Sequence, residues 1–158
     1  MKKKKYIKIV LSCFILVFVI FNLLWFYNYN LYSSKITNLY EKAKGGSFFK
    51  DDNSCTYTVK RPNYLSFVGN YGINSSLNKV EIIIWPSFGM KKYEYGARIE
   101  DDKQHVYEMY INDTGEIVNI DEFDYTKEEE KIVKKLVSDN KSEIKKMIGF
   151  ADKEWHIL

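Results

Sequence analysis

The chain has 158 residues, with 24 Lys and Arg against 21 Asp and Glu, two histidines and a formal charge of +3. The charge is lopsided: five lysines stand in the first eight residues, while residues 31–158 hold 19 Lys and Arg against all 21 Asp and Glu. The body of the chain thus has no basic footprint, which argues against a nucleic-acid partner, and its two histidines lack the spacing of zinc signatures.

Residues 1–8 read as a basic tail. Residues 9–29 carry no charge, and as a helix these 21 residues would extend about 31 Å, the thickness of a bilayer's hydrocarbon core. They are expected to form one transmembrane helix with the lipid bilayer as its partner. The lysines before it place the N-terminus in the cytoplasm and the rest of the chain outside the cell membrane. Trp25, Phe26, Tyr27, Tyr29 and Tyr32 form an aromatic cluster suited to headgroup level. A cleaved signal peptide has a shorter apolar core and small residues at its cleavage site, so an uncleaved anchor is the expectation. Asn22 is the polar side chain deepest in this segment, weighed as a tolerated amide against a bond to a partner helix. Cys13 and Cys55 fall in different compartments on this reading, which leaves no intrachain disulfide framework.

Residues 30–47 are expected to form a helical stalk. Ile36, Leu39, Tyr40 and Ala43 recur at helical spacing, Ser33 or Ser34 would cap the start, and Gly45 and Gly46 would end it. Residues 47–53 read as a polar connector. Residues 48–158 make one extracytoplasmic domain. Its period changes to two at residue 54: Cys55, Tyr57 and Val59 alternate with polar neighbours, as in a half-buried strand. Residues 64–68 form a short apolar run, and residues 69–78 a turn-rich link. Residues 80–85 are the most apolar strand candidate, ended by Pro86. Residues 93–100 and 105–111 alternate again, Asn112 to Gly115 signals a turn, and residues 116–120 return as a strand. Thr126 and Glu129 form a capping box before one helix, with an apolar stripe through Ile132, Val133, Leu136, Val137, Ile144, Met147 and Ile148 and an end at Gly149. The expected fold is α+β: a transmembrane helix, then a small antiparallel sheet of five or six strands packed by a C-terminal helix.

The chain lacks a phosphate-binding loop, a dinucleotide fingerprint and a nucleophile elbow. No catalytic residue, cofactor or metal site is expected. Asp121, Glu122 and Asp124 stand before the last helix, where they supply negative charge to its N-terminus. Aromatics are unusually frequent, with 3 Trp, 13 Tyr and 10 Phe. Two places put them in positions to meet a partner: Trp85, Phe88 and Met90 around a loop, and Trp155 near the C-terminus. The abundance of Lys, Ile, Asn and Tyr fits an AT-rich bacterial genome. The functional expectation is a single-pass membrane protein of a bacterial envelope, whose outer domain binds an envelope protein or cell-wall component without catalysis. One variant is a membrane-bound immunity or accessory factor. From a different class, the alternative is a small hydrolase or metal-dependent enzyme using the acids near His105 and Asp121.

Overall fold

A computed structural model describes residues 2–52, 54–64, 66–75 and 79–157, with side chains from residue 6 onward. Leu65 of the expected apolar run, residues 76–78 of the expected link, and Leu158 lie outside the described residues. The chain begins with one helix, α1 (Lys2–Ser33), and continues through eight strands: β1 (Glu41–Lys42), β2 (Ser47–Asp52), β3 (Cys55–Lys60), β4 (Asn70–Ser75), β5 (Val80–Pro86), β6 (Tyr93–Glu100), β7 (Val106–Ile111) and β8 (Ile117–Asn119). Two helices follow, α2 (Lys127–Asp139) and α3 (Lys141–Trp155). The α+β class matches the sequence expectation. Among the described residues the strands number eight instead of five or six, and two C-terminal helices stand in place of one.

All eight strands form one antiparallel sheet in chain order, each paired with the strand before it. The period of two decides which face is covered. Tyr57 and Val59 of β3 register with Ile73 and Tyr71 of β4, then Ile82 and Ile84 of β5, Ala97 and Tyr95 of β6, and Met109 and Ile111 of β7. This face is buried under Val133 and Val137 of α2 and Ile144, Met147, Ile148, Ala151 and Trp155 of α3. Trp155 is the keystone. It stacks on Tyr71 at 4.7 Å, meets Tyr57 edge-on at 5.9 Å, and its Nε1 donates to the Tyr40 hydroxyl at 3.0 Å. Burying an aromatic of this size contributes several kcal/mol, roughly 3–5 by the cost of truncating one to Ala.

The connections depart from the sequence expectation at three places. α1 stops at Ser33, and no helical stalk follows over residues 34–47. Ser33 and Ser34 do not cap a new helix; their hydroxyls donate back to the carbonyls of Tyr29 and Leu31, which closes the last turn of α1. Gly45 and Gly46 instead make the β1–β2 turn at φ 76° and 80°, the left-handed region that glycine enters without steric cost. The expected polar connector is β2, and most of the expected turn-rich link is β4, where Tyr71, Ile73 and Ser75 point to the buried face. The last helix divides at Asn140 (φ −101°, ψ 9°), whose side-chain amide donates to the Leu136 carbonyl. It then runs through Gly149 to Trp155, because burial of Ala151 and Trp155 outweighs the roughly 1 kcal/mol cost of an interior glycine.

α1 is not detached from the domain. From Tyr6 to Ser33 it is long and apolar enough to cross a membrane, with mean hydropathy 2.8 in a window of which no part is buried. Its last turns differ sharply: Asn28 and Tyr32 are fully buried. The Tyr32 ring lies 5.5 Å from Tyr71, which joins the helix to the Trp155 cluster. The Asn28 amide donates to the Phe67 carbonyl and accepts from the Gly89 N–H at 3.2 Å. Trp25 Nε1 donates to the Asn63 carbonyl at 2.7 Å, and the Tyr64 hydroxyl donates to Asn22 Oδ1 at 2.8 Å. Asn22 thus finds its partner within the same chain, and its Nδ2 is taken by the Phe18 carbonyl at 2.7 Å.

Candidate functional site

The helices cover one face of the sheet and leave the other open. On the open face, sequence and geometry build an aromatic shelf. Trp85 stands on β5, one residue before Pro86, and its ring lies across Gly96 of the neighbouring strand. A Cβ at Gly96 would come within 2.7 Å of that ring, so the glycine is what allows the indole to lie flat on the sheet. Tyr110 of β7 meets Trp85 at 6.0 Å, Phe123 meets Tyr110 at 5.4 Å, and Tyr125 stacks on Phe123 at 5.6 Å. The shelf therefore crosses from β5 to the segment after β8.

Beside the shelf, Arg98 of β6 bridges two carboxylates in cross-strand register, Glu108 of β7 at 2.6 Å and Glu81 of β5 at 3.5 Å. These pairs are exposed, and each contributes about 0.2–1 kcal/mol. Their value is positional, since they fix a charged rim along the aromatic row. The sheet edge is closed by a side chain. β8 pairs only with the last residues of β7, and beyond it the Tyr125 hydroxyl both accepts from the Glu108 N–H and donates to the Glu108 carbonyl, each at 2.9 Å. A phenol thus replaces a strand where β7 would otherwise present an unpaired edge.

An open cleft of about 710 Å³ lies at the end of the sheet where β6 begins and β7 turns into β8. Tyr93, Tyr95 and Tyr110 line it together with Glu94, Asp113 and Glu122. Burial pushes the Tyr95 phenol up to about 12 and raises that of Tyr93, so both remain neutral hydrogen-bonding groups at physiological pH. A cleft with aromatic walls and an acidic rim suits a ligand with apolar faces and donor groups, peptide or sugar.

The four residues singled out in the sequence occupy different places. Trp85 is half-buried on the open face. Phe88 is 43% exposed in the β5–β6 turn, with Tyr27 of α1 at 6.4 Å and Phe67 at 6.0 Å. Met90 is partly buried, and its sulfur accepts from the Tyr71 hydroxyl at 3.4 Å. Trp155 is fully buried as the keystone of the core, so this fold does not present it to a partner. Tyr110, Phe123 and Tyr125 are not among the partner residues expected from the sequence, because only strand pairing brings them beside Trp85. The lone glycine in an otherwise regular strand, Gly96, is the signal that could have found them, since such a position marks close approach by another group.

The groups on which the catalytic alternative depends lie in turns and connecting segments. His105 lies in the β6–β7 turn, its Nδ1 3.6 Å from Asp101 Oδ2 of the same turn. The Asp101 carboxyl is held below its usual range by the His105 backbone N–H, with the Lys103 N–H adding to the effect. Asp121 and Asp124 are exposed. Among the described residues no group of three or more His, Cys, Asp or Glu side chains is placed to hold a metal ion. Cys55 is buried on the inner face, and burial raises its thiol above the ordinary range, the direction of an unreactive cysteine. Comparison of the chain with protein-family models, with curated proteins and with solved structures finds no match.

Proposed function

We propose that the chain is a single-pass membrane protein of a bacterial envelope, with its N-terminus in the cytoplasm and its α+β domain outside, and that the domain binds another envelope component without catalysis. The observation that carries the anchor is the contrast along α1. No residue of its most apolar window is buried, whereas Asn28 and Tyr32 at its far end are fully buried in the domain. Removing α1 as a signal sequence would strip both residues from the fold and uncover Tyr71. An uncleaved anchor keeps them. The orientation rests on the five lysines at the N-terminal end.

The binding reading is supported by the open sheet face, where Trp85, Tyr110 and Phe123 form a row beside the tyrosine-walled cleft. These rings are half-buried, and Trp and Tyr are enriched among the few residues that dominate the energy of interaction surfaces. An immunity or accessory factor fits the same placement with a toxin or transporter as partner. Photocrosslinking in cells, with a photoreactive residue at Tyr110 and a control at Lys134 on α2, is the test. A discrete product from Tyr110 alone, lost in Trp85→Ala, is expected. Equal products from both positions, or none from Tyr110, would remove the shelf as a binding surface.

A further inference from the structure

In an antiparallel sheet that keeps chain order, alternate turns fall at the same end. The β3–β4 turn (residues 61–69) and the β5–β6 turn (residues 87–92) therefore share one end, and both pack against α1. The depth of that packing is informative. Counting from Lys8, the last charge of the tail, a hydrocarbon core of about 30 Å takes up about 20 residues of helix and ends near Asn28. Tyr64 reaches Asn22, and its ring and that of Phe67 lie 5.8 and 4.9 Å from Phe21. These contacts lie about 9 Å inside the apolar zone.

The two turns are built for that depth. From Pro62 to Asn78 the chain has no charged residue. Tyr64, Val68 and Phe88 are 44%, 49% and 43% exposed, with no protein against their outer faces. Four backbone polar groups beneath them are paired, while Arg61 Nε at the base of the first turn is buried without a hydrogen bond among the described residues. Asn63 and Phe67 give their carbonyls to Trp25 and Asn28, the Val68 N–H bonds Ser66 Oγ at 3.4 Å, and the Gly89 N–H bonds Asn28. Irregular backbone is tolerated at membrane depth only when so satisfied.

The two turns against α1 have a charge pattern of their own. The flanks of these two turns carry Lys60, Arg61, Lys91 and Lys92, and no acid occurs from Cys55 to Val80 or from Ile82 to Tyr93. The turns at the far end hold Asp51, Asp52, Glu100, Asp101 and Asp102 against Lys79 and Lys103. The β7–β8 turn at the same end as the two turns carries Asp113 and Glu116, so the match to a surface of anionic lipid is confined to the two turns against α1, with their apolar tips and basic flanks.

We propose that the β3–β4 and β5–β6 turns are inserted in the leaflet on the domain's side of the bilayer, with Tyr64, Val68 and Phe88 among the acyl chains and Lys60, Lys91 and Lys92 at the phosphates. The occupant of this surface is lipid. This rests on α1 being a membrane anchor, and the test separates the two. Full-length protein is reconstituted in phosphatidylethanolamine–phosphatidylglycerol vesicles whose acyl chains carry a doxyl quencher. An environment-sensitive fluorophore is placed at native Cys13 or, in a Cys13→Ser, Cys55→Ala background, at Val68→Cys, Phe88→Cys or Lys131→Cys. Several-fold quenching and blue-shifted emission are expected at 13, 68 and 88, with water-like emission at 131. Quenching at 13 with water-like emission at both 68 and 88 overturns the insertion and leaves the anchor standing. Water-like emission at 13 overturns both.

Discussion

The contact between Trp85 and Gly96 shows how one atom sets a surface. Any side chain at position 96 would meet the indole at 2.7 Å, so the ring must either lift from the sheet or force the strand away. Gly96→Ala is expected to destabilise the fold by about 1–3 kcal/mol, the range for overpacking, and to shift Trp85 emission toward that of solvent. Chemical denaturation followed by fluorescence measures both, in a protein whose Trp25 and Trp155 are replaced by Phe as a common reference. An unchanged midpoint and unchanged emission would mean that the indole does not lie across Gly96. The residues most legible in the sequence are those obeying a period: Cys55, Tyr57 and Val59 are expected on a buried strand face and are buried there. Trp85 reads from the sequence as part of a loop with Phe88, because Pro86 follows it and nothing local reveals a cross-strand glycine.

At the level of elements, the capping box before α2 is fully written in the sequence. Thr126 Oγ1 accepts from the Glu129 N–H at 3.2 Å, and Glu129 Oε2 accepts from the Thr126 N–H at 2.8 Å. The bond from the Thr126 backbone holds the Glu129 carboxyl below its usual range, with the Thr126 hydroxyl adding to the effect. A lowered folded-state value means that this stabilisation is complete above the ordinary glutamate range and is lost as pH falls through the depressed value. Glu129→Ala is expected to lower Tm by a few degrees at neutral pH, with the gap from the parent narrowing in acid; thermal melts across that range check it, and a gap independent of pH would deny the carboxylate its role. Elements lacking such local chemistry are not legible. β2 and β4 carry Asp, Asn and Gly where strands favour branched and aromatic residues, and both are strands because pairing with β3 on either side satisfies their backbones. The stalk is expected from helical spacing alone, but Ile36 and Tyr40 are used instead as irregular segments packed onto the core.

For the whole molecule, the sequence carries the apolar helix and the α+β class, while the expected basic tail is the first part of α1, which begins at Lys2. It does not carry the junction between helix and domain, which depends on Asn22, Trp25 and Asn28 meeting residues more than 35 positions away. The proposed topology has a direct check. In intact cells, a membrane-impermeant maleimide is expected to label Lys131→Cys, and to label Lys3→Cys only after permeabilisation, each in a background lacking Cys13 and Cys55. The reverse pattern would invert the orientation, and labelling of both in intact cells would mean that the chain does not span. The strict order of the sheet has a further consequence. Every strand docks on the one synthesised just before it, so the domain can assemble progressively as it emerges, starting from a helix end already in place and never waiting for a distant strand. The closing act reaches farthest: Trp155 must return to Tyr40 and Tyr71, across more than 80 residues, before the inner face is dry. Until those last residues are released, the nascent domain is a sheet with one greasy side uncovered, which the proposed anchor would hold beside a membrane of like chemistry.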